Sequence, residues 1–97
     1  MPESFAKRTV VVTDPSGVHA RTAVAIADVA RRSRAAVTLI KDQRRVAATD
    51  VLQILTMVAA AGEQVEIEAE GVDAENVLND LEPLFAGKFG DEEEKTA

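Results

Sequence analysis

In the run Ser16-Gly17-Val18-His19-Ala20-Arg21, the chain's single histidine stands where an alternating, strand-like segment gives way to an amphipathic helical pattern. The first turn of a helix carries backbone N–H groups with no intrahelical partner, and their aligned dipoles leave about half a positive charge there. Such a terminus receives anions readily. An imidazole nitrogen at its rim is a nucleophile, and the guanidinium of Arg21 is a cation suited to phosphate oxygens. Ser16, Gly17 and Ala20 supply the surrounding turn and first helical residues. Together these are the parts needed to hold a phosphoryl group on a histidine.

The elements that must position them follow from periodicity. Residues 5–13 are β-branched and read as a strand, closed by the turn cluster Asp14-Pro15-Ser16-Gly17. Residues 20–34 read as a helix, with Ala23, Ile26, Ala27 and Ala30 on one buried face and Arg31, Arg32 and Arg34 crowding its C-terminal end. Cations there complement the dipole and are expected to face water. Residues 36–41 form a second strand, and Asp42-Gln43 turns it into a short third one over 44–47. A second helix is expected over 51–61, stopped by Gly62. Residues 63–70 alternate cleanly, with Val65, Ile67 and Ala69 on one face and glutamates on the other. Asp73 is expected to cap a third helix whose inner face is Val77, Leu78, Leu81 and Phe85, and Pro83 should kink it or end it early. The order β-α-β-β-α-β-α, with one polar sheet face, implies an α+β open-faced two-layer sandwich: a largely antiparallel sheet with helices covering only one face.

Composition narrows the function. With 97 residues the chain is expected to hold one domain over residues 1–87, followed by an acidic, disordered tail over 88–97. Three Phe and no Trp or Tyr leave an aliphatic core, and the absence of Cys excludes a disulfide framework and thiolate metal sites. With one histidine as well, neither a metal site nor a cofactor is expected. A net charge of −6 argues against nucleic acid, although the run Asp91-Glu92-Glu93-Glu94 carries part of it. No apolar run is long enough to span a membrane, and the N-terminal residues lack a signal-peptide layout. A cytoplasmic monomer without membrane insertion is the expectation.

The second helical segment, residues 51–61, is apolar nearly all round. Such a helix is either fully buried or exposed at a partner-binding surface, and a small open sandwich buries it with difficulty. Ile54, Met57 and Val58 share one side and are assigned to the core. Val51, Leu52 and Leu55 lie on the other and are assigned to docking, with plain core packing as the alternative.

The motif Gly17-Val18-His19-Ala20-Arg21, following a strand and opening a helix, closely resembles the phosphorylation motif of the HPr family. These are the histidine-containing phosphocarriers of the bacterial phosphoenolpyruvate-dependent sugar phosphotransferase system. The segments 46–52 and 60–71 resemble that family's entry into its second helix and its last strand and turn, so the resemblance covers residues 5–85. It implies a four-stranded antiparallel sheet with three helices on one face. It implies further that His19 accepts a phosphoryl group from phosphorylated enzyme I and passes it to IIA proteins, with Arg21 stabilising charge. A carrier of this kind is not an enzyme. Two departures stand out. Thr22 occupies the place of the family's usual proline, which would loosen the first turn while keeping the anion site. Asp50 occupies the place of the regulatory serine of many Gram-positive-type members, so phosphorylation of that serine is impossible here. Asp50 is expected to cap the second helix in a capping box with Gln53; its charge either mimics a phosphoserine in part or serves as a cap with no regulatory meaning. Thr49 beside it is read as a capping residue rather than a substitute phosphosite.

A lone histidine near a turn is ordinarily a surface or capping residue. Its place at a helix start, its Arg21 neighbour and the whole-chain resemblance reverse that reading. The alternative from another class is an HPr-like regulatory protein, in a nitrogen-type or catabolite-control branch, that acts by binding. Retention of His19 favours the carrier.

Overall fold

Alternation along Gln64–Gly71 turns Val65, Ile67 and Ala69 to one face, where they are fully buried, and leaves the glutamates between them on the other. This strand, β4, organises the molecule. The computed structural model describes residues 4–89. Strand β1 (Phe5–Val11) pairs antiparallel with one side of β4, and β2 (Ala35–Lys41) pairs antiparallel with the other. The short β3 (Arg44–Ala47) pairs antiparallel with the outer side of β2, giving the order β1-β4-β2-β3. Asp42 and Gln43 both have positive φ, 51° and 72°, as a two-residue hairpin turn matched to strand twist requires.

Helices α1 (Ala20–Arg32), α2 (Val51–Thr56) and α3 (Ala74–Leu81) cover one face of this sheet. Ile26 of α1, Ile54 of α2 and Leu78 and Leu81 of α3 meet Leu39 and Ile67 of the sheet in one aliphatic core. Pro83 ends α3 as expected: a 3-10 turn over Glu82–Ala86 replaces it and buries Leu84 and Phe85.

Several local expectations are corrected. Helix α1 stops at Arg32 rather than 34, because Ser33 takes an extended conformation and its hydroxyl donates to the Ala30 carbonyl at 2.9 Å. Arg31 does not merely face water; it donates two bonds, 3.1 and 2.8 Å, to the Thr49 carbonyl and ties the end of α1 to the loop before α2. Asp73 makes no side-chain cap on α3, since both its carboxylate oxygens accept from the Arg34 amide. Helix α2 is six residues long, not eleven. Val58 adopts a left-handed conformation, φ 51°, and is 72% exposed, so it leaves the core set in which Ile54 and Met57 remain.

Candidate functional site

The turn before α1 is built around one carboxylate. Asp14 Oδ1 accepts from the Ser16 amide at 2.9 Å, and the Asp14 carbonyl accepts from the Gly17 amide at 2.9 Å. This is the local bonding by which Asp favours turns over helix. Gly17 then takes φ +70°, and a Cβ placed on it would lie 2.8 Å from the Ala59 carbonyl oxygen. That carbonyl accepts from the Val18 amide at 2.8 Å, so the segment after α2 braces the turn from behind. Only glycine fits both the dihedral and the space. Ser16 itself is exposed, and it contributes its amide to the turn.

His19 occupies the cap position of α1 in an extended conformation, and its carbonyl accepts from the Ala23 amide at 2.9 Å. Its side chain makes no capping hydrogen bond. The imidazole therefore does not cap its own helix, and the first-turn amides are not covered by it. Ala20, the first helical residue, is exposed and crowds neither.

The ring is held by what surrounds it. Nε2 lies 3.5 Å from Asp14 Oδ2 and 3.3 Å from Thr22 Oγ1. Phe89 packs edge-on at 6.4 Å between ring centroids. The Arg21 guanidinium stacks over the same phenyl ring at 4.5 Å, a cation–π contact that steadies a long side chain two residues from the imidazole. The His19 side chain remains 37% exposed, open to a partner.

Thr22, in the place of the family's usual proline, lies in the first turn of α1. It is fully buried, and its hydroxyl bonds the His19 ring. Two further residues escaped the sequence reading. Asp14 was legible as a turn former but not as a neighbour of Nε2. Phe89, beyond the boundary drawn at residue 87, is only 8% exposed and forms one wall of the site. For Thr22 a signal existed, since residues three apart on a helix share a face. For Phe89 there was none, because contact requires the whole fold. The acidic run at 91–94 lies outside the described residues.

At the second helix, Asp50 Oδ1 accepts from the Gln53 amide at 3.1 Å. The cap is real, but the reciprocal half of a capping box is absent: the Asp50 amide donates to the Ala47 carbonyl instead. Of the proposed docking residues, Leu52 is 74% exposed. Val51 and Leu55 are half-buried and pack against the core. Among the described residues no group of acidic or histidine side chains is placed to hold a metal ion.

A family model for the HPr component phosphorylation site of the phosphotransferase system matches residues 6–87. The chain belongs to the HPr family. It is similar to the phosphocarrier HPr of Treponema pallidum, 36% identical over 85 residues that cover 88% of this chain and 97% of that one. It is also similar to the phosphocarrier NPr of Escherichia coli K12, 33% identical, covering 89% of this chain and 97% of the relative. Among solved structures it resembles the HPr of Bacillus anthracis with a TM-score of 0.79 at 28% identity, over 84% of this chain and 96% of that one. As an HPr-family member it is a phosphocarrier of the phosphotransferase system, and not a catalytic enzyme. The four-stranded antiparallel sheet under three helices is the family's architecture.

Proposed function

We propose that His19 is the phosphoryl acceptor, taking the group from phosphorylated enzyme I and handing it to IIA proteins. The observation that carries this is the imidazole at the cap position of α1, not used to cap its own helix, with the family's phosphorylation-site model spanning it. The phosphoryl oxygens sit against the first-turn amides, and Arg21 offsets their charge during transfer. Ser16, Gly17 and Ala20 shape the receiving loop. Val51, Leu52 and Leu55 of α2 form the surface on which donor and acceptor dock, with Leu52 at its exposed centre.

The chain acts as a monomeric unit in the cytoplasm, without nucleic acid, cofactor or membrane insertion, and serves sugar uptake. A second reading, a nitrogen-type regulatory branch, is supported by the 33% identity to NPr.

Incubation with enzyme I, phosphoenolpyruvate and magnesium should add one phosphoryl group by intact mass, labile in acid and stable in base, and His19→Ala should abolish it. The metal serves the donor. A gain that survives His19→Ala overturns the assignment. Offering the phosphorylated chain to a sugar-type and to a nitrogen-type IIA protein decides the branch by which one takes the label.

A further inference from the structure

Among the described residues other than glycine, Asp42, Gln43 and Val58 have positive φ. The first two form a hairpin turn that requires it. Val58, at 51°, is β-branched and belongs to the residues that tolerate this region least. It stands just past α2, where its amide donates to the Leu55 carbonyl at 3.2 Å, and glycine ordinarily takes this place at a helix end. The left-handed step itself has a use. It ends α2 and turns Ala59 inward, 4% exposed, where the Ala59 carbonyl accepts from Val18 and backs the turn before His19. Glycine would make the same step without steric cost. The valine side chain gives the fold no compensation, since it is 72% exposed and lies outside the core. Strain of this kind persists where function uses it.

Its place in the molecule indicates the use. Leu52 and Val58 are the most exposed large apolar side chains of the described residues, and half-buried Leu55 comes between them in the chain. On its other side Val58 adjoins Ala59, which is bonded to the turn that carries His19. Val58 thus joins the outer face of α2 to the site of phosphoryl transfer. We infer that Val58 is a recognition residue for the phosphoryl donor, its isopropyl group extending the docking surface of α2 toward His19. The inference rests on the reading of α2 as that surface. The donor must bring its own phosphorylated side chain up to the imidazole, so apolar surface next to the ring is covered in the transfer complex. Covering Val58 removes that surface from water only when the donor is bound.

The competing account is a helix terminator in which valine is merely tolerated. Both accounts expect relief of strain to raise stability; only recognition expects binding to weaken at the same time. Val58→Gly and Val58→Asn suit the left-handed conformation and remove the apolar group. Val58→Thr keeps the branched shape and removes apolar character. In thermal unfolding, Val58→Gly and Val58→Asn are expected to raise the midpoint by about 3–5 °C. In calorimetric titration with enzyme I, Val58→Gly, Val58→Asn and Val58→Thr should each weaken binding about fivefold. Val58→Leu, which restores an apolar side chain, should recover most of that loss. In the phosphorylation assay the KM for the chain should rise with kcat unchanged. A midpoint that fails to rise in both Val58→Gly and Val58→Asn overturns the inference. So does parent-like binding in the Gly and Thr variants, or a fall in kcat with binding unchanged, which would place the residue's effect in the turn alone. Leu52→Glu separates the two readings. If it weakens binding and the Val58 variants do not, this inference alone fails; if neither does, the docking reading of α2 fails with it.

Discussion

Helices α1 and α2 begin in opposite ways. At α2 the cap residue Asp50 bends its carboxylate onto the Gln53 amide and closes the terminus with charge of its own. At α1 the cap residue His19 leaves the first-turn amides alone, and its ring is turned toward Asp14 and Thr22. Capping by a side chain is worth about 1 kcal/mol to a helix. The start of α1 forgoes that stabilisation. In exchange it keeps donors and dipole available to an incoming anion. A closed helix start stabilises the fold; an open one stabilises a ligand.

The largest test of this contrast is at the open end. Arg21→Ala should slow phosphoryl transfer by about 10–100-fold, since a cation aimed at developing charge is worth most in the transition state. Its stability loss should stay below about 1 kcal/mol, the scale of an exposed cation–π contact, as denaturant titration would register. A variant that transfers at the parent rate would leave the helix amides as the sole stabilisers of charge.

Next comes the outer face of α2. Leu52→Glu should weaken binding to enzyme I about tenfold in a calorimetric titration, as loss of an apolar anchor does. Its thermal midpoint should barely move, because the leucine is 74% exposed. An unfolded variant would return Leu52 to the core.

The smallest effect belongs to the closed end. Asp50→Ala should cost about 1 kcal/mol of stability, and Asp50→Ser only a few tenths, because serine also caps. If Asp50 is a cap alone, Asp50→Ser transfers at the parent rate. If its fixed charge imitates a phosphoserine, that variant accepts phosphoryl groups faster in a stopped assay with enzyme I.

The legible part of the molecule was the part whose causes are local. Alternation in β4, the Asp42-Gln43 turn, the Asp50 cap and the placement of His19 at a helix start all depend on residues within one turn or one pleat. The length of α2 was not legible. Ala59-Ala60-Ala61 favours helix by propensity, yet the Ala59 carbonyl accepts from Val18 and the Gly62 amide donates to Val12. Long-range bonds to the site turn outweigh the intrinsic preference. The motif His19–Arg21 was readable for the same reason that Asp14, Thr22 and Phe89 were not. A motif shows which groups are adjacent in sequence, whereas their aim is set by packing.

The bonds from the Thr13 and Asp14 amides to the Phe85 carbonyl, 3.0 and 3.1 Å, bear on the order of folding as well as on shape. They join the turn that orients Asp14 to the 3-10 turn Glu82–Ala86, far along the chain. Closing so long a loop is slow beside the formation of one helix or hairpin. A partly folded chain can hold the motif Gly17-Val18-His19-Ala20-Arg21 and still lack a steadied carboxylate beside the ring. The surroundings of His19 are thereby a report on whether two distant segments of the chain have met.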